Sequence, residues 1–244
     1  MLTPTTIKDS GELMDIVAKG IFIIGTDTNV GKTLITASLA WKLSKKVRKL
    51  GIMKPFATGE KTFSRKYKSE DVAILCNSIG LVEKEQNVNP YYFPLPCSPF
   101  MATELLQLNQ VKLKYALEKY EYMAGIYDYI LVEGIGGLLV PLNRKSTLLD
   151  FIKLVNLEVI IVTRPIVGTL NHTLLTVKEC VTNRVTIKGI IVNMMPSKPN
   201  KIELHTPHFI ETLTKIPILG IVPHIDFLSY TAETFKKVSS SIKI

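Results

Sequence analysis

The residues best suited to chemistry lie in Gly25-Thr-Asp-Thr-Asn-Val-Gly-Lys-Thr33, directly after the apolar run Ile21-Phe-Ile-Ile24. A glycine-containing turn between a strand and a helix gathers backbone N–H groups around an anion, and the positive end of the helix dipole adds to the attraction. Lys32 can then reach the terminal phosphates of a nucleotide, and the Thr33 hydroxyl can sit on Mg2+. The usual spacing, G-x-x-x-x-G-K-[ST], would put its first glycine where Thr26 stands; here the glycine is one residue earlier, at Gly25.

Three further segments place charged side chains where a phosphate-binding loop could use them. Lys54 ends a short apolar strand with Pro55 behind it. It reads either as a surface lysine at a strand end or as a cation that stabilises developing negative charge. Asp71, in Ser69-Glu-Asp71, opens a helix, where an acidic residue is favoured by the helix dipole; composition alone favours that role over a Mg2+ ligand. Glu133 closes the run Tyr129-Ile-Leu-Val-Glu133 and is followed by Gly134, Gly136 and Gly137. A carboxylate at a sheet edge suits a Mg2+–phosphate site, and a plain polar strand end is the other reading.

The elements that must carry these side chains follow from alternating patterns. Apolar, β-branched runs predict strands at 21–24, 51–54, 129–133, 159–163, 187–193 and 218–222. Helical patterns fall between them at 33–49, 71–78, 104–124, 147–154, 169–182 and 201–213. Such alternation predicts an α/β fold, a mostly parallel sheet flanked by helices, of the P-loop NTPase kind. Ligands of such sheets sit at the carboxyl ends of the strands. The whole chain, 1–244, reads as one domain with a core at about 20–225. Residues 1–19 form an extension with a short helix expected near 10–19, and the proline-rich stretch 89–99 reads as an ordered loop.

Bulk properties narrow the setting. The apolar runs are strand-sized, far short of the ~20 residues that span a bilayer, so no membrane partner is expected. Asp9, Glu12 and Asp15 near the start argue against a targeting peptide, and three widely spaced cysteines fit a reducing, cytoplasmic location. The net charge is +9, and lysines cluster around 42–49 and 61–68. Without interleaved aromatics these read as a solvated helix face and a loop, so no nucleic-acid partner is expected. His205 and His208 flank Pro207, which breaks helical spacing between them and argues against a metal site.

Taken together, the segments resemble the dethiobiotin synthetase family, whose pattern is G-T-D-T-x-V-G-K-T, K-P-[VF]-x-[ST]-G, an Asp before the next helix, V-E-G-x-G-G and G-T-x-N-H. Each occurs here in that order, the last as Gly168-Thr-Leu-Asn-His172, and the resemblance runs from about Ile21 to Ile225. It implies a ligase of biotin biosynthesis that closes the ureido ring of dethiobiotin from 7,8-diaminononanoate and CO2, with ATP as co-substrate and Mg2+ as cofactor. The resemblance assigns the nucleotide to Asn29, Val30, Gly31, Lys32, Thr33 and Leu34, to Asp71, to Glu133, Gly134, Ile135 and Gly136, and to Asn193, Met194, Pro223, His224 and Ile225. Thr33, Asp71 and Glu133 would hold the metal. Lys54 and Lys32 would act in catalysis, and Thr58 would bind the diamine. Gly168, Thr169, Leu170 and Asn171 would bind the distant carboxylate from a partner subunit, which implies a homodimer.

Some positions depart from the family pattern. Asn29 stands where a glutamate is common, Phe100 where a histidine is frequent, and Asp226 is the candidate for an acidic residue that often follows the proline matched by Pro223. Two other classes share parts of the pattern. ParA/MinD-like ATPase switches carry a signature lysine in K-G-G-x-G-K-T, whose place Asp27 takes here. Amidotransferase-type synthetases of cobalamin synthesis need a glutaminase-like domain, for which this chain has no room.

Overall fold

The computed structural model describes residues 19–59, 62–225 and 230–244. Asp226 and most of the helix expected near 10–19 lie outside them. Six strands form one sheet: β1 (Gly20–Gly25), β2 (Leu50–Met53), β5 (Tyr129–Gly137), β6 (Glu158–Thr163), β7 (Ile187–Met195) and β8 (Ile218–Pro223). Their order is β2-β5-β1-β6-β7-β8, and every pairing between them is parallel. The strands are continuous apolar runs because both faces are covered: Ile21, Phe22, Ile23 and Ile24 are all buried. A separate two-stranded parallel sheet pairs β3 (Phe56–Thr58) with β4 (Tyr91–Phe93).

The helices are α1 (Lys32–Leu43), α2 (Glu70–Ile79), α3 (Glu85–Val88), α4 (Pro99–Leu105), α5 (Leu113–Ile126), α6 (Leu148–Val155), α7 (Thr169–Thr182), α8 (Lys201–Thr214) and α9 (Ala232–Ser240). Their starts are written in local chemistry. Thr147 with Asp150 and Asn200 with Glu203 form capping boxes at α6 and α8, and Ser98 caps α4 with Pro99 in its first turn.

Four expectations need correction. The helix expected over 33–49 ends at Leu43, because the lysine-crowded segment after it tightens into turns, with Lys46 N–H on Leu43 O at 2.8 Å, before the chain enters β2. The helix expected over 104–124 is two helices, parted by a loop in which Gln107 takes a left-handed conformation (φ 53°). Strand β5 does not stop at Glu133 but runs to Gly137, its pairing with β1 shifting register after Ile23. Pro207 does not break α8, which runs through it with the ring buried.

Helix α9 docks on α1. Phe235 and Val238 are buried there, and Lys42 Nζ donates to the carbonyls of Ser239 (3.1 Å) and Ile242 (2.6 Å). The helix behind the phosphate loop is therefore clamped from a segment far along the chain.

Candidate active site

The carboxyl ends of β1, β2 and β5 open into a cavity of about 550 Å3, within the size range of small-molecule sites. Its base is the loop between β1 and α1. Gly31 there has φ 82°, and a Cβ on it would fall 2.1 Å from Asn193 Nδ2, so only glycine fits. The shifted first glycine has a physical reason as well. A Cβ at Gly25 would lie 2.8 Å from Lys32 Nζ, so the missing side chain makes room for the ammonium. Thr26, in the place of the usual glycine, ties the loop to β6: its N–H donates to Val162 O (3.0 Å) and its hydroxyl to Thr163 Oγ1 (3.1 Å).

Lys32 Nζ donates to Asp27 O (2.9 Å) and Gly136 O (2.8 Å), so the lysine is held across the loop. Burial, and then the nearby Lys54 ammonium, lower its pKa to about 8. Lys54 sits just past β2, and its backbone is fixed on both sides: its N–H donates to Val88 O (2.9 Å) and its carbonyl accepts from Asn89 Nδ2 (2.7 Å). Behind it Phe56 stacks on Tyr91 and meets Phe151 edge-on. Of the two readings of Lys54, the surface one falls: the residue is 4% exposed.

Its ammonium reaches two carboxylates, Asp71 Oδ2 at 2.9 Å and Glu133 Oε1 at 2.5 Å. Burial works against the charge on Lys54, but those carboxylates outweigh it and hold its pKa above the ordinary value. Lys54 in turn lowers the pKa of Asp71. Asp71 therefore serves the cavity and not merely the helix dipole. Glu133 Oε1 also accepts from the Thr33 hydroxyl (2.9 Å), while Oε2 is buried with no hydrogen-bond partner among the described residues. Two carboxylates, one of them with a buried and unsatisfied oxygen, and a hydroxyl form a hard-oxygen donor set that fits Mg2+.

The remaining sequence-predicted residues divide clearly. Asn29, Gly31, Lys32, Thr33, Leu34, Lys54, Thr58, Asp71, Glu133, Ile135, Gly136 and Met194 line the cavity. Val30 and Asn193 lie behind it, buried, with Asn193 Nδ2 donating to Val30 O at 2.9 Å; Gly134 is buried within β5. Pro223, His224 and Ile225 stand outside the lining, though His224 N–H meets Met195 O next to Met194. At the start of α7, Gly168 and Asn171 are exposed and away from the cavity, while the Thr169 hydroxyl turns inward to Thr163 Oγ1 (2.7 Å). Sequence reading missed Thr28, Pro96, Cys97, Ser98, Val140 and Tyr230 as lining residues. The cap-forming Ser98-Pro99 signal pointed at one group of them, whereas Tyr230 has no pattern around it. Phe100 lies beside that group, with the Arg144 guanidinium over its ring.

Comparison with known proteins agrees with this geometry. A family model described as "AAA domain" matches residues 19–232. An ATP-dependent dethiobiotin synthetase of Nitrosopumilus maritimus is 39% identical, covering 90% of this chain and 96% of its own length. The ATP-dependent dethiobiotin synthetase of Bacillus subtilis is 35% identical over 85% of this chain and 88% of its own. Among solved structures, a ParA family ATPase from Chlorobium tepidum superposes with a TM-score of 0.53 at 17% identity, over 92% of this chain and 100% of that one. The septum site-determining protein MinD from Pyrococcus horikoshii, complexed with Mg-ADP, gives 0.52 at 19% over 91% and 94%. At those identities the structural likeness speaks for the P-loop fold alone. The sequence relatives, matched nearly end to end, carry the assignment further: this chain belongs to the family of ATP-dependent dethiobiotin synthetases.

Proposed function

We propose that the chain closes the ureido ring of dethiobiotin from 7,8-diaminononanoate, CO2 and ATP. One amine takes up CO2 and loses a proton, giving a carbamate. A carbamate oxygen then bonds to the γ-phosphorus as the bond to ADP breaks. The second amine attacks the carbonyl carbon of this carbamic-phosphoric anhydride and gives up a proton, and phosphate leaves as the ring closes. Both reactants of the middle step are anions, so catalysis must come from positioning and from fixed positive charge.

The observation that carries this reading is the convergence of Lys54, Lys32, Thr33, Asp71 and Glu133 on one cavity. Lys32 and the loop N–H groups would hold the phosphates, and Lys54 would neutralise the carbamate and the moving phosphoryl group. Mg2+ held by Thr33, Asp71 and Glu133 would offset charge on the phosphate oxygens. Thr58 would face the diamine. Asn193, fixed on Val30 O with its Oδ1 free of partners among the described residues, supports a base-binding role beside Met194.

The distant carboxylate would bind at the start of α7 of a second copy, in a homodimer. Support comes from exposure: Ile166, Val167, Leu174 and Leu175 leave an apolar surface around Gly168 and Asn171. Among the described residues no helix is long and apolar enough to cross a membrane, and the free thiols of Cys76, Cys97 and Cys180 support a reducing, cytoplasmic setting. Asp27 in place of a signature lysine speaks against an ATPase switch.

The test is ADP release from Mg·ATP and bicarbonate with and without 7,8-diaminononanoate, while dethiobiotin is followed by mass spectrometry. Product in step with ADP supports the reading. Hydrolysis indifferent to the diamine, with no product, sinks it.

A further inference from the structure

The ammonium of Lys54 occupies the space between the two carboxylates that the proposed function gives to Mg2+. Glu133 Oε1 is already used twice, by Lys54 Nζ at 2.5 Å and by Thr33 Oγ1 at 2.9 Å, and Asp71 Oδ2 lies 2.9 Å from the same nitrogen. No other cation meets these oxygens at bonding distance among the described residues, because Lys32 Nζ is turned onto Asp27 O and Gly136 O. Mg2+ demands oxygen ligands at about 2.0–2.1 Å in near-octahedral geometry. An ammonium hydrogen-bonded to both carboxylates stands in the way of that shell.

We propose that Lys54 is the internal counter-ion of the cation site: it pairs with Asp71 and Glu133 until a divalent ion arrives and displaces it toward the carbamate. The proposal rests on the reading of Thr33, Asp71 and Glu133 as cation ligands. The backbone of Lys54 is pinned by Val88 O and Asn89 Nδ2, so the exchange is a swing of the side chain alone. Its four-carbon stem allows that, and the cavity it lines, with Thr58 on the same wall, leaves somewhere to go. Without Lys54, two carboxylates that share one nitrogen would face each other with only the more distant Lys32 ammonium to compensate them, one of them fully buried.

The test uses Mn2+ as an EPR-visible probe on the full chain without nucleotide. Lys54→Met removes the charge while keeping the stem, and should bind Mn2+ at least about ten-fold more tightly than the unaltered chain, since no counter-ion has to leave. Lys54→Arg keeps the charge and should show no tightening. Mn2+ bound by the unaltered chain with no gain in Lys54→Met overturns the exchange and leaves the cation site standing. Full Mn2+ affinity in the double variant Lys54→Met with Asp71→Asn would remove the carboxylates from the site, and both ideas would fall. If Lys54→Met does not fold, acetylation of Lys54 in the unaltered chain decides. Mg2+ alone, at occupancy set by the Mn2+ titration, should raise its labelling several-fold relative to Lys32; unchanged labelling overturns the proposal.

Discussion

The two ends of the same sheet treat charge in opposite ways. At the amino-terminal edge, Arg48 pairs with Asp128 at 3.5 Å and Lys188 with Glu158 at 3.1 Å, and all four side chains are substantially exposed. At the carboxyl edge, Lys54 and Glu133 pair with almost no exposure, and Asp71 joins them from the start of α2. A buried ion pair adds little to stability against an apolar substitute, whereas removing one partner is costly. Charge kept dry at one edge is charge kept for use.

The largest effect that could break this contrast is expected at Lys54. Lys54→Ala should lower kcat by about 10²–10³ while affinity for ATP without a divalent ion changes little, because an electrostatic stabiliser is lost and the phosphate loop is untouched. Steady-state turnover alongside nucleotide titration separates the two, and unchanged turnover would take Lys54 out of the chemistry. Next comes the loop itself. Gly31→Ala must adopt φ near 82° against the amide of Asn193, so ATP binding should weaken by about ten-fold or more. Calorimetric titration of ATP checks it.

A smaller effect sharpens the contrast through pH. Lys32 loses its charge as pH rises through about 8, because burial and then Lys54 favour its neutral form. Since kcat/KM reports the free enzyme, its value for ATP should fall above that pH. A profile flat to pH 10 would mean that Lys32 is more solvated than its surroundings indicate. The smallest effect is expected at the other edge. Arg48→Ala and Lys188→Ala should each cost less than about 1 kcal/mol and leave turnover intact, as exposed pairs do. Losses in chemical denaturation as large as those from Lys54→Ala would erase the distinction between the edges.

Much of this was legible in the residues. The six sheet strands were readable because each holds an apolar, β-branched run, and α6 and α8 because helical patterns mark 147–154 and 201–213. The short elements β3, β4 and α3 were not, since three or four residues carry no period. Helix α9 escaped because its buried face, Phe235 and Val238, is set in a lysine- and serine-rich tail. At the site, residue types pointed to Lys54, Asp71 and Glu133 one by one. Their union in one buried cluster was not legible, because it depends on segments that only the parallel order β2-β5-β1 brings side by side. Tyr230 lies just before α9, whose docking on α1 no local pattern announces.

That docking also sets a clock. Lys42, on the helix that carries Lys32 and Thr33, makes its bond to Ile242 across 200 residues of chain. At about 5–20 residues per second, a ribosome needs roughly 10–40 s between making one partner and making the other. Throughout that interval the flank of α1 that receives Phe235 and Val238 stays open. The phosphate loop itself waits for Gly136, Val162 and Asn193, and its supporting helix is closed only when synthesis has passed residue 242. Contacts of such separation form late and slowly. Nucleotide capture by the growing chain would then mark a late step of its maturation.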